Sequence, residues 1–433
     1  MLQYLRQIWH TKDLRRRIMI TAGMLVVYRV ISHLPIPGAD PFALRQYLEG
    51  GNGGGLLGVF ASLTGGAVDN FSLALLGLSP YINASIIVQL CTVIFPKLEA
   101  LSKEGQQGQQ QLNRYTRWLS LPLAFLQSYG FLLLINRGGV ALVDTSFPWF
   151  GGGNGFGVLT PMLFVTAGSV FIMWLGELIT EKGIGNGISL LIFAGIVSGI
   201  PTNITALALA GSSQSGAVAF FILLTIATLI ACIIFTDAHR LVPLTYANQG
   251  AGRGVQGNIP IRLNQAGMVP IIFAVSLITL PSIVAQFLAT APRFQWLVSI
   301  ITTHFNPSSP RWGYIVMYFL LVLLFNYFYV SVTFKPADLA ESIQKRGGFI
   351  PGTRPGQQTA GMLEQISNRL NLWGGLFLAL IAVIPLMFSM FTKLPSSDML
   401  ISGSGLIILV GVVMELIRQI NASMLAHDYE KLV

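Results

Sequence analysis

Apolar residues in this chain come in unbroken blocks rather than in alternation. Ten blocks of about 20 residues with few or no charges stand out, at roughly 18–34, 71–95, 116–135, 157–180, 188–211, 216–236, 266–288, 313–333, 370–391 and 403–424. A block of that length matches the roughly 30 Å hydrocarbon thickness of a bilayer when helical. Lipid offers no partner to a free backbone N–H or C=O, so only helices or a closed barrel can cross it. Unbroken blocks exclude the alternating pattern of a barrel strand. The pattern predicts an all-α polytopic membrane protein of ten spans.

One apolar stretch fits neither water nor a span. Residues 53–65 read GGGLLGVFASLTG, with Leu56, Leu57, Val59, Phe60, Ala61 and Leu63 between glycines. A helix over about 55–65 reaches roughly 17 Å, too short to cross. It can enter the membrane only where protein or a water-filled cavity receives it. Its flanking glycines permit hinge motion. The other reading of its pattern is a helix lying flat at the membrane surface.

Composition agrees with the pattern: 53% of the 433 residues are hydrophobic and 10% charged, against about a quarter charged in soluble chains. The net charge of +9 is explained by placement. With ten spans both termini share a side, and the segments on that side hold 20 of the 26 Lys and Arg. The positive-inside rule puts that side in the cytoplasm. Arg29, Arg45, Arg137, Arg293, Arg311 and Lys393 fall within the first span or opposite. SHLPIPG after the first block lacks a small-x-small cleavage pattern, so that span is expected to be retained. The expected organisation is a cytosolic segment 1–17, halves 18–211 and 212–424, and a cytosolic tail 425–433.

The halves carry a repeat. GLSPYI (Gly77–Ile82) opens the second span and GMVPII (Gly267–Ile272) the seventh, 190 residues apart. Five spans per half make the halves enter the membrane in opposite senses, an inverted repeat about an axis in the membrane plane. Proline removes a backbone donor and kinks a helix, so both helices are expected to kink where protein or water receives the freed carbonyl. Asn83, Ser85 and Gln89 on the second span, with Ser276 and Thr279 on the seventh, predict a partly polar seam between the two. Ordinary interhelical hydrogen bonding explains these polar groups equally well.

Cys91 and Cys232 lie in apolar blocks without metal spacing, and the five histidines are scattered. No HExxH, Walker A or GxSxG pattern occurs, so no enzyme and no cofactor is expected.

Several motifs then converge. PIPG (Pro35–Gly38), LTGG (Leu63–Gly66), ALLGLSPYINASIIVQL (Ala74–Leu90), KEGQQGQQQLNRYTR (Lys103–Arg117), GELITEKGIGNGISLLIFAGIVSG (Gly176–Gly199), NQAGMVPIIFA (Asn264–Ala274) and GGFIPGTRPGQQT (Gly347–Thr359) resemble the SecY family. Its members are channel subunits of bacterial protein translocation. The resemblance runs nearly end to end. It implies an hourglass pore closed by an aliphatic ring on Leu78, Ile82, Ile188, Ile192, Ile272 and Ile408. It implies a plug on the short helix at about 55–65, and a lateral gate between spans two and seven, with Asn83, Gln89, Ser276 and Thr279 as candidates. A narrow aliphatic ring dewets and excludes ions. With no nucleotide site, energy must come from a partner. The resemblance implies a SecA motor or a ribosome on the cytosolic loops, at Arg354, Arg240, Arg253, Lys345 and Arg346. It also implies SecE-type and SecG-type subunits, signal-bearing preproteins and membrane lipid. The expected location is the bacterial plasma membrane.

A secondary transporter is the main rival, since inverted repeats and broken helices serve it too. Transporters place ionisable or polar groups at the midplane, whereas the midplane candidates here are aliphatic. Glu177 and Glu415, the notable acids near spans, lie off the proline-marked helices.

Two loops depart from the family pattern. Gln109 and Gln110 stand where arginines are usual, and TDAHRLVPLTYANQGAGRG keeps only Arg240 and Arg253. Attraction to ribosomal RNA falls with each lost cation. Ribosome binding is therefore expected to be weaker or more salt-sensitive than in relatives, read by co-sedimentation across a salt series. Undiminished binding at physiological salt contradicts this.

Overall fold

The structure, a computed structural model, describes residues 11–36, 71–137, 156–246, 255–288, 292–305, 311–392 and 403–430. The predicted plug residues, Leu56 to Leu63, and Arg253 lie outside the described residues. In chain order the helices are α1 (Lys12–Ile31), α2 (Ser79–Ile94), α3 (Pro96–Lys103), α4 (Gln106–Arg137), α5 (Phe156–Lys182) and α6 (Gly187–Asp237). Then follow α7 (Val269–Leu288), α8 (Gln295–His304), α9 (Trp312–Thr333), α10 (Pro336–Lys345), α11 (Gln357–Thr392) and α12 (Gly403–Glu430). Among the described residues, segments of α5, of α9 continuing into α10, of α11 and of α12 are long and apolar enough to cross a membrane, and α2 and α3 form a pair bent by 103°. The bend follows the chain: Pro96 cannot continue the i→i−4 ladder and restricts Phe95, which is extended (φ −103°, ψ 114°).

The predicted spans at 188–211 and 216–236 form one helical run, α6. A straight helix of 51 residues would be roughly 76 Å long. Yet both ends meet the same stretch of α12. Near the start, a Cβ on Gly185 would stand 3.0 Å from Leu416 Cδ2. At the end, Arg418 Nη2 donates to Thr236 O at 2.9 Å. The run therefore doubles back, as two spans must.

The proline expectation needs correction. Neither Pro80 nor Pro270 sits inside a helix. Each occupies the first turn, of α2 and α7, where the missing N–H was unpaired anyway. What breaks the chain is the glycine before each. Gly77 and Gly267 both adopt left-handed backbone, φ +52° and +66°, a conformation glycine reaches without cost. The matching bonds Ile82 N→Leu78 O (3.0 Å) and Ile272 N→Met268 O (3.4 Å) start both helices alike. The repeat is thus one of backbone conformation as well as of letters.

The segment before α2 is packed tightly. Ser169 Oγ on α5 donates to Gly77 O at 2.9 Å, and a Cβ on neighbouring Gly168 would collide with Leu73 O. Residues 34–36 pair with 71–73 through Ile36 N→Phe71 O (2.9 Å) and Leu73 N→Leu34 O (3.0 Å), so the segment 37–70 leaves and returns at one point. Phe71, fully buried, has φ +46° there, a strained value for an aromatic residue.

The two long segments between apolar blocks, 237–265 and 334–369, fold together. Strands β1 (His239–Tyr246), β2 (Val255–Arg262) and β3 (Gly348–Phe349) form an antiparallel sheet in the order β2-β1-β3. Val242, Leu244 and Ile261 face one core with Ala340 and Ile343 of α10, Ile350, and Leu363 and Ile366 of α11.

Replacing Gly168 with Ala is expected to cost about 1–3 kcal/mol, as for overpacked cores, and to lower the melting temperature in detergent. Gly313→Ala, with open space around it, is expected to leave melting unchanged. Equal melting of both variants contradicts the close packing.

Candidate functional site

Between α1, α2, α5, α6, α7 and α12 lies a cavity of about 60 Å³. Leu78, Ile82, Ile192, Ile272 and Ile408 line it, as do Ser276 and Thr279. Five of the six predicted ring positions thus converge from four separate helical regions. Leu78 sits at the helix-initiating turn of α2. Ile82 and Ile272 occupy equivalent places in the repeat, one turn into their helices. Ile192 lies in the second turn of α6, and Ile408 in the second turn of α12. Ile188 does not line the cavity. It is half-buried in the same apolar cluster, its Cγ1 3.2 Å from where a Cβ on Gly176 would stand.

The start of α6 is held firmly. Asn186 Oδ1 accepts from Ile188 N (3.1 Å) and Ser189 N (3.3 Å), an N-cap. Thr180 Oγ1 accepts from Gly187 N at 2.8 Å. From α1, Thr21 Oγ1 accepts from Ile184 N at 3.1 Å. These bonds fix where Ile192 projects.

The cavity also includes residues that the sequence reading passed over: Tyr28, Ile172, Leu191 and Val275. A signal existed for Tyr28. The buried residues of α1 are Leu14, Thr21 and Tyr28, a seven-residue spacing, which marks one helix face. Apolar residues on every side of α1 hid it. No lining residue carries a charge.

The seam between α2 and α7 differs from expectation. Its polar groups do not bridge the helices. Thr279 Oγ1 donates to Ser276 O (2.9 Å), and Ser85 Oγ to Ile82 O (3.0 Å), each within its own helix. Thr92 Oγ1 likewise donates to Gln89 O (2.6 Å). Asn83 is buried, and its Oδ1 has no hydrogen-bond partner. Ile82, Ile86 and Leu90 instead share one apolar cluster with Ile271, Val275 and Ile278. Neither Asn83 nor Gln89 lines the cavity.

On the sheet side, Arg240, Lys345, Arg346 and Arg354 are all exposed and belong to the one sheet-and-helix unit. Lys345 Nζ lies 2.7 Å from Glu341 Oε1, and this bond holds the Glu341 carboxyl below its usual range. Arg354 is presented on a braced turn. Thr359 Oγ1 donates to its carbonyl at 2.9 Å, and its N–H reaches Gln358 Oε1 at 3.3 Å. Arg262 is shifted down by burial, and further by the Arg418 charge.

Comparison with known proteins follows the same outline. A curated relative, the protein translocase subunit SecY of Corynebacterium glutamicum, is 39% identical over 99% of each chain. That of Streptomyces galbus is 38% identical over 99% of each. Among solved structures, one described as a protein-conducting channel superposes with a TM-score of 0.64 at 18% identity, covering 94% of this chain and 92% of that one. Sec61 of the canine ribosome–channel complex gives 0.61 at 18% identity, covering 94% and 92%. These structures share the fold, an all-α polytopic membrane architecture. The family model for SecY matches residues 72–417, and with relatives of this identity along the whole length, the chain belongs to the SecY family.

Proposed function

We infer that this chain is a protein-conducting channel, which passes unfolded, signal-bearing preproteins across the bacterial plasma membrane and releases apolar segments to lipid. The observation that carries the reading is the uncharged cavity where Leu78, Ile82, Ile192, Ile272 and Ile408 meet. Water in a narrow aliphatic constriction finds few partners, so the constriction resists ions while shut. Aliphatic side chains move aside for a polypeptide of any sequence, because they bind none of it specifically. A transporter places charged groups at this depth, and no lining residue carries a charge.

The same geometry suits sideways release. The hydroxyls of Ser85 and Thr92 on α2 and of Thr279 on α7 bond within their own helices, so parting the helices breaks none of these bonds. What separates is apolar surface, and an entering apolar segment replaces it. A signal sequence therefore exchanges like for like at this seam. The apolar stretch at 55–65, short and flanked by glycines in the sequence, supports the reading of a plug.

Both termini and the sheet face the cytoplasm, in keeping with the distribution of Lys and Arg. The exposed Arg240, Lys345, Arg346 and Arg354 receive the SecA motor or a ribosome. SecE-type and SecG-type subunits complete the assembly. A guanidinium on a braced turn supplies fixed donors to an acidic or carbonyl-rich partner surface.

Ile408→Asn and Ile82→Asn each place an amide in the constriction. Both are expected to raise ion conductance of the purified chain in planar bilayers and to relax the stringency toward defective signal sequences. Conductance equal to that of the unaltered chain contradicts the channel reading. Arg354→Ala is expected to weaken motor docking about tenfold or more, as for a charge-assisted hydrogen bond worth ~1.5–3 kcal/mol. Surface plasmon resonance on nanodisc-embedded protein measures this, and unchanged affinity removes Arg354 from the docking surface.

A further inference from the structure

The short helix α8 has no part in the channel as described, and its exposed face is unusual. A 3₁₀ turn, Pro292–Phe294, leads into it. Phe294, Trp296 and Ile300 are exposed on it, Trp296 by 62%. Leu297, Val298 and Ile301 point inward and are half-buried. Its far end is strapped to α7, where Ser282 Oγ donates to Phe305 O at 3.1 Å, and Phe305 packs into the apolar cluster that contains α7.

Ile272, one turn into α7, lines the cavity, and α7 runs on from it to Leu288, about 24 Å. The sheet precedes α7 in the chain and α8 follows it, so α8 lies beyond the cavity, at the end of α7 away from the sheet. The next helix shows where lipid lies. Trp312, Val316, Leu320 and Leu324 are all exposed on α9 at spacing four, a stripe that faces hydrocarbon. That stripe opens on an Arg–Trp pair, Arg311–Trp312, and α8 opens on another, Arg293 with Trp296. All four residues are exposed. Tryptophan settles at the headgroup boundary, and arginine there extends its guanidinium toward phosphate while its stem stays among acyl chains. Arg293 and Arg311 are also on the side where topology disfavours cations, so the positive-inside rule does not account for them.

We propose that α8 is a surface anchor whose partner is the membrane leaflet away from the sheet, with Phe294, Trp296 and Ile300 among the upper acyl chains and Arg293 and Arg311 on acidic lipid headgroups. The anchor holds the far end of α7 at a fixed depth. On the gate reading above, that makes the leaflet a restraint on α7.

The test uses tryptophan fluorescence of the full chain in vesicles, comparing the unaltered protein with Trp296→Phe. The signal lost in the variant belongs to Trp296. In vesicles of phosphatidylglycerol and phosphatidylcholine brominated near the headgroup end of the chains, that signal is expected to be quenched strongly, and aqueous iodide is expected to quench it weakly. Quenching by iodide with none by bromolipid means a water-facing helix and overturns the proposal. Quenching by neither means that protein covers α8 and overturns it as well. The Trp296 quenching is expected to be stronger with phosphatidylglycerol than with phosphatidylcholine alone, and Arg293→Gln with Arg311→Gln is expected to remove that difference. Added inorganic phosphate is expected to leave it unchanged. Equal quenching in both lipids, or abolition by phosphate, rejects the acidic headgroup as partner. Depth at α8 is read without any gating, so the anchor and the gate stand or fall separately.

Discussion

A polar backbone in hydrocarbon must find all its partners within the protein, and that requirement shapes every unusual feature of this chain. Helices satisfy it by themselves. The places where helices stop are the places where the molecule works. At Gly77 and Gly267 the chain takes left-handed backbone and starts a fresh helix, and the carbonyl of Gly77 is met by Ser169. These two starts aim Ile82 and Ile272 at one cavity from the two halves. An uninterrupted span would have carried its side chains past the waist without gathering them.

The consequence is a site built from geometry rather than from reactive groups. Its residues are those of any protein core, and only their convergence from several helices makes them a constriction. The supporting contacts are polar and local. Asn186, Thr180 and Thr21 hold the start of α6, while the hydroxyls of Ser85, Thr92 and Thr279 bond to their own helices. On the proposed reading, rigid entry points and a seam whose described hydroxyls bond within their own helices would let one side of the molecule part while the rest keeps its shape.

Much of this was legible in the letters. Long apolar blocks marked the helices, and Gly-x-x-Pro-x-Ile at two places 190 residues apart marked the repeat. The prolines misled, because a proline read without its neighbours implies a kink, whereas the preceding glycine makes it a first-turn residue. The sheet was missed for a different reason. Val242 and Leu244 alternate as a strand should, but Pro243 and Pro260 argue against strands. Pro243 is tolerated because β3 pairs only with Thr245 and Tyr246, leaving Pro243 beyond its reach, and Pro260 because β2 is an edge strand. That the two loops share a core depends on contacts more than a hundred residues apart, which no local pattern encodes. Ile188 was drawn to the ring by its motif, but it lies one turn before Ile192 on the same face of α6, so it stops about 6 Å short of the cavity that Ile192 reaches.

The central claim is that a moving polypeptide passes through the aliphatic constriction itself. Disulfide crosslinking tests it most directly: a cysteine placed at Ile192, and another at Ile272, each paired with a single cysteine in a preprotein stalled midway. The account predicts that both positions capture the stalled chain, and that a cysteine at lipid-facing Leu324 does not. Capture at Leu324 with none at Ile192 or Ile272 would mean that the polypeptide travels outside the constriction, and the account would be wrong.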